Sequence, residues 1–114
     1  MRFLCLFTGD APPAPPTQEQ MVQMGAYAEK SKREGKLIAT GGLKKRETDG
    51  FVVRRKGDQY TVSNGGAPWA AAGGWAILEA PSREAVMEDV KTFLGIAGDG
   101  VSEVIGISDM SQQS

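Results

Sequence analysis

Few side chains in this chain could do chemistry, and the absent ones narrow the choice further. None of the 114 residues is histidine, so the usual general base near neutral pH and the commonest metal ligand are both missing. The standard serine and cysteine triads need an imidazole and are excluded with it. One cysteine, Cys5, and scattered carboxylates give no metal-ligating spacing. Acid–base work would fall to a carboxylate, a tyrosine, a lysine or Cys5 with a shifted pKa. The polar candidates beside glycine-rich turns are Asp10 after Gly9, Thr40 and Lys44 flanking Gly41-Gly42, and Ser63 and Asn64 before Gly65-Gly66, with Arg54 as a further one. Each also has a plainer reading. Asp10 suits a turn aspartate bonding its own backbone, and Asn64 before Gly65 is first a turn signal. Cys5, between Leu4 and Leu6, reads as an inert buried thiol.

These candidates cluster around the segment from Ser63 to Leu78, SNGGAPWAAAGGWAIL, with four glycines, two tryptophans and one proline in sixteen residues. Gly65-Gly66 and Pro68 predict a loop with special backbone angles. Gly73-Gly74 allow a close backbone approach before an apolar strand. A long glycine-rich loop carrying an aromatic is a typical binding surface. Trp69 within it serves equally as a pocket lid or as a residue packed at a dimer interface. Trp75, alternating with Ala76 and Ile77, reads as core or dimer-facing. The paired glycines form neither G-x-G-x-x-G nor a P-loop, and no cofactor motif is present.

The elements that would position these residues follow from patterning. Arg2 to Thr8 is an apolar run suited to a buried central strand. The prolines of Asp10 to Pro16 predict a stiff connection. Thr17 and Gln20 have capping-box spacing and open a helix whose stripe is Met21, Met24, Ala28 and Ser31, with Tyr27 at its edge and Gly35 as its stop. Lys36 to Thr40 is a short strand. Phe51 to Arg55 and Gln59 to Ser63 form a hairpin around Lys56-Gly57-Asp58. After the strand Gly74 to Leu78, Ser82 caps a second helix with Val86, Val90, Phe93 and Leu94 on one face. Val101 to Ile107 is the last strand. The order predicts an α+β domain, a ferredoxin-like βαβ-βαβ sheet with an inserted hairpin. Both helices cover one sheet face, and the other face needs a cover, for which a second copy is the expected one.

Composition sets the outer bounds. The length suits one domain, expected over residues 1–110 with a frayed tail at 111–114. Thirteen basic against fourteen acidic residues give no electrostatic reason to expect nucleic acid or an anionic membrane. The basic runs Lys44-Lys45-Arg46 and Arg54-Arg55-Lys56 read as solvated turns. The N-terminal apolar run is too short for a signal-peptide core or a bilayer span. A lone thiol suits a reducing compartment, so the chain is expected to be cytoplasmic.

Three stretches carry a resemblance to a known family: MRFLCLFTGD, EGKLIATGGL and GGWAILEAPSREAVMEDV. In that order and spacing the chain resembles the YCII-related (DGPF-domain) family over nearly its whole length. The resemblance implies a ferredoxin-like fold that pairs into a dimeric α/β barrel, with a pocket between sheet and helices and a polar group such as Asp10 at its rim. The family's Asp-Gly-Pro-Phe would fall near Val62 to Gly66, where this chain reads VSNGG. A His-Asp pair proposed for some members has no counterpart here. The resemblance therefore transfers a fold and a pocket but no catalytic residue.

Together these features lead to an expected homodimer binding a small molecule under the glycine-rich loop, with Asp10, Thr40, Lys44, Ser63, Asn64 and Trp69 as its contacts. The alternative is a cofactor-independent isomerase or lyase acting on a small organic acid or lactone, a third a purely structural dimer with a closed pocket. An enzyme needs at least two convergent polar groups in the pocket, whereas a binding module needs shape and one or two anchors.

Overall fold

A computed structural model describes residues 1–10, 17–44, 49–64 and 72–108. The described elements are β1 (Arg2–Gly9), α1 (Gln18–Arg33), β2 (Leu37–Gly42), β3 (Phe51–Lys56), β4 (Gln59–Asn64), β5 (Gly74–Glu79), α2 (Arg83–Ala97) and β6 (Gly100–Ile107). Four strands form an antiparallel sheet in the order β2-β5-β1-β6. Each helix therefore crosses over a neighbouring strand, α1 past β5 and α2 past β1. This is an α+β architecture compatible with a ferredoxin-like fold. Strands β3 and β4 do not join that sheet. They make a separate two-stranded hairpin.

Local chemistry explains the boundaries. Thr17 Oγ1 accepts from the Gln20 backbone N–H at 3.1 Å, and Gln20 Oε1 accepts from the Thr17 N–H at 3.0 Å, the reciprocal capping box. At the far end of α1, Lys36 N–H reaches Ser31 O and Gly35 N–H reaches Lys32 O, with Gly35 at φ 74°. That is a Schellman closure, which requires the left-handed backbone that glycine adopts without penalty. The Ser82 hydroxyl accepts from Ala85 N–H at 3.1 Å and starts α2. In the hairpin, Gly57 at φ 61° precedes Asp58, which has no positive φ, the pattern of a type II′ turn.

Strand alternation sorts the sheet into two faces. Phe3 and Cys5 of β1 are buried with Ala80, Val86 and Val90, and Ala76, Leu78 and Leu94 pack against them. Val86 on α2 is only 2 % exposed. The opposite row carries Leu4 and Leu6 of β1, Trp75 and Ile77 of β5, and Val101, Ile105 and Ile107 of β6, by the register of these strands. No described helix lies on that face. The α2 stripe is as expected. On α1 the expected stripe holds from Met24 to Ser31, but Met21 is 60 % exposed, with Val22 and Gln23 beside it exposed as well, so this end of the helix is not packed.

Two glycines should respond oppositely to alanine. At Gly100 a Cβ would lie 2.5 Å from the Thr8 carbonyl oxygen and 3.0 Å from Gly9 Cα, and backbone cannot yield cheaply. Gly100→Ala is expected to cost about 2 kcal/mol or more in urea denaturation. Gly25, inside α1, has open space around it, so Gly25→Ala should add about 0.5–1 kcal/mol.

Candidate functional site

A cavity of about 200 Å³ lies between the helices and the sheet. Its walls follow from the helical and strand periods. From α1 come Met24, Tyr27, Ala28 and Ser31, and from α2 Asp89, Val90 and Phe93. The floor is Cys5 and Phe7 of β1, Ala76 and Leu78 of β5, Leu37 and Thr40 of β2, and Ser102 of β6, with the backbone stretches Gly41 and Gly74-Trp75 at one end. The space exists because small residues face each other. Ala28 and Ser31 of α1 and Gly74 and Ala76 of the sheet share its lining, where larger side chains would have filled the layer. Phe7 and Phe93 meet edge to face, 5.4 Å between centroids at 87°, a favoured aromatic geometry that stiffens one wall.

The lining is mainly apolar, and its polar groups are largely committed. The Tyr27 hydroxyl donates to the backbone carbonyl of Asp89 at 2.9 Å. The Thr40 hydroxyl donates to the Trp75 carbonyl at 2.8 Å. Lys36 lies 3.7 Å from Asp89 and 3.7 Å from Glu34, so the one carboxylate among the described lining residues has a cation beside it. Ser31 is buried at 6 % exposure. What remains available to a guest is mostly acceptor capacity, on Thr40 Oγ1 and Ser31 Oγ, plus the weak thiol donor of Cys5.

Burial, opposed by a smaller contribution from a hydrogen bond with Ser102, pushes the Cys5 thiol pKa above its ordinary 9.0. Burial also raises the Tyr27 phenol above 10.0, reinforced by the Asp89 charge and offset by Ser31 and Lys36. Both groups are thus held protonated. Neither is an activated nucleophile or base at neutral pH.

The residues expected from the sequence are only partly brought together. Thr40 lines the cavity and, exposed on the edge strand, stands at its rim. Asp10 is exposed and bonds through its backbone N–H to Asp99 O at 3.1 Å. Lys44 is exposed beyond the end of β2. Ser63 and Asn64 are exposed on β4, and Arg54 on β3. None of these five is among the lining residues. Trp69 and the tail lie outside the described residues. Tyr27, Ser31, Asp89 and Ser102 line the cavity without having been expected there. A signal exists for two of them: Ser31 is a polar residue within an apolar helical stripe, and Tyr27 sits at that stripe's edge.

No family model matches the chain, and no curated protein matches it in sequence. Among the described residues no group of three acidic or thiol side chains could hold a metal ion, and no helix is long and apolar enough to cross a membrane.

The raised pKa values set a pH dependence. Below their ordinary values both groups keep their protons folded or unfolded. As pH climbs through 9.0 and 10.0 the unfolded chain releases protons first, so stability falls. The urea midpoint should drop between about pH 8.5 and 10.5, and Cys5→Ala should lessen the drop. At about pH 7.5, iodoacetamide should alkylate Cys5 at least ~10-fold more slowly in the native protein than in the urea-unfolded chain.

Proposed function

We propose that this chain is a dimeric domain of YCII-like type that binds a small, mainly apolar molecule in the cavity between sheet and helices. The cavity and its lining carry the reading. A dry cavity of about 150 Å³ lined by aliphatic and aromatic side chains is known to take benzene. A space of about 200 Å³ therefore suits a one-ring compound. Because Tyr27 and Thr40 direct their hydrogens to backbone carbonyls, the fitting guest carries one hydrogen-bond donor rather than a carboxylate. The resemblance in three stretches of sequence supports the family and the dimer. The uncovered apolar face of the sheet supports a second copy as its cover.

A catalytic reading rests on one observation. Asp89 lines the cavity next to Tyr27 and Ser31, which puts a carboxylate within reach of a guest. That arrangement would serve an isomerase or lyase acting on a small organic acid or lactone. The protonated Cys5 and Tyr27 and the absence of histidine weigh toward binding without turnover.

Phenol is the probe that tests the binding reading, with one ring and one donor. In a two-dimensional amide NMR titration, millimolar phenol should shift Met24, Ala28, Thr40 and Ala76. Ala28→Phe, which fills the space, should abolish those shifts in a folded protein. Thr40→Val should weaken phenol by up to about tenfold, the worth of one neutral hydrogen bond. No shift at these amides in the wild-type protein would sink the reading.

A further inference from the structure

The hairpin of β3 and β4 is built as if one of its faces were covered. By register, Phe51, Val53 and Arg55 share a face with Tyr60, Val62 and Asn64. Its opposite face carries Val52, Arg54 and Lys56 with Gln59, Thr61 and Ser63. Alternation of this kind marks a sheet with one face packed and one in water. Yet Phe51, Val53, Tyr60 and Val62 are 66, 55, 68 and 66 % exposed. Two strands alone are at best marginally stable in water, so four large apolar side chains on one face need a surface to meet. The chain does not fold the hairpin over its own core. Its radius of gyration is 16.3 Å, against about 13 Å for a compact chain of this length.

We propose that this hairpin is an exchange arm: in the homodimer, each copy lays its Phe51-Val53-Tyr60-Val62 face on the outward row of β6 in the second copy. The inference rests on the dimer proposed above and specifies how it is held.

Area argues for the arm as part of a contact between two copies. Four strands spaced about 4.8 Å apart, six to eight residues long at about 3.3 Å each, give an open sheet face of roughly 450 Å². That falls well short of the ~800 Å² per partner that a stable interface buries. One hairpin face adds roughly 200 Å². The surface that receives the partner's arm is already part of the open face, so each copy buries roughly 650 Å², closer to the usual size of a stable interface than the sheet face alone.

Charge agrees with this pairing. The outward row of β6 is Val101, Glu103, Ile105 and Ile107. Its apolar members are 60, 41 and 42 % exposed, and Glu103 has no ion-pair partner among the described residues. The apolar face of the arm likewise holds one charge, Arg55, whose Nε donates to the Gly57 carbonyl at 2.7 Å and whose one ion pair is with Asp58 on its own turn, at 3.8 Å and exposed. Each surface is an apolar row with a single charge, and the two charges are opposite. Docking matches them, and breaks no ion pair other than the exposed one at Asp58.

Sedimentation equilibrium on the wild-type chain, Arg55→Glu, Glu103→Arg and a one-to-one mixture of the two variants tests the proposal. Each variant alone sets like charges against each other twice across the dimer, and should raise the dimer Kd at least about tenfold. In the mixture, the new carboxylate at position 55 of one copy meets the new guanidinium at position 103 of the other. Both native charges meet as well, so the heterodimer should return to within about threefold of wild type. Recovery in the mixture shows that the contact runs between chains. A wild-type dimer whose Kd neither variant changes overturns the exchange arm and leaves the dimer standing. A chain that stays monomeric at 12.1 kDa at every concentration overturns both. Hydrogen exchange on the unaltered protein gives a second measure. Amides of 51–56 and 59–64 should be protected in the dimer and lose protection on dilution. Free exchange of both strands while the protein is dimeric overturns the arm.

Discussion

The organising constraint is that β1 is paired along both edges, with β5 on one side and β6 on the other. Backbone groups on both sides are satisfied, so β1 can be buried, and its side chains must go to two faces. One row, Phe3 and Cys5 with Phe7 beyond them, meets the helices. The other row, Leu4 and Leu6, is equally apolar and meets no described element. Two helices are the most that the crossovers from β1 to β2 and from β5 to β6 can supply, and both land on the same side. The sheet is therefore apolar on two faces but roofed on one, and both the cavity and the open surface derive from that. The helix side becomes a core with a gap in it, and the other side becomes a surface that a monomer of this size cannot close.

The gap is a consequence of residue size rather than of any loop. Where α2 meets the sheet, Val86 and Val90 pack with Phe3 and Cys5 in one buried cluster, whose Val90 and Cys5 form the near wall of the gap. Toward α1 the sheet offers Gly74 and Ala76, and the helix offers Ala28 and Ser31. Gly41 pairs with Trp75 in the open-face row, and a Cβ there would come within 2.8 Å of Trp75 Nε1, so the tryptophan keeps glycine on β2.

Signals that act locally are legible in the sequence. The capping box of Thr17 and Gln20, the Ser82 cap, the Gly35 stop and the Gly57 turn each depend on residues within a few positions, and all four close as their spacing requires. The strand and helix order, and with it the α+β class, comes from period alone. The separation of the hairpin from the main sheet is not legible, because the alternation of β3 and β4 gives one apolar face and does not say whether it meets the main sheet. Expecting site residues next to glycine turns rests on the principle that loops carry function. Thr40 obeys it. Ser63 and Asn64 belong instead to the separate hairpin, and Asp10 to a backbone contact with Asp99. Tyr27 and Ser31 show in the sequence only as a stripe edge and a polar residue within the stripe, and their meeting with Asp89 does not show at all, because the two helices lie far apart in the chain. Only the crossing of those helices brings the Tyr27 hydroxyl to the Asp89 carbonyl.

The way those polar groups are engaged argues for a site that works by shape. A buried hydroxyl without a partner costs about 1–3 kcal/mol, and here Tyr27 and Thr40 each give their hydrogen to a main-chain carbonyl. The same two bonds tie α1 to α2 and β2 to β5, so they hold the walls of the cavity apart while lowering the polarity inside it. Asp89 is used in the same way: its carbonyl anchors Tyr27, its carboxylate faces Lys36, and its charge helps keep the Tyr27 proton in place. A catalytic pocket turns its titratable groups toward the guest with pKa values near the working pH. Here Tyr27 gives its hydrogen to the frame, and burial keeps Tyr27 and Cys5 protonated, which agrees with the binding reading proposed above rather than with the catalytic one.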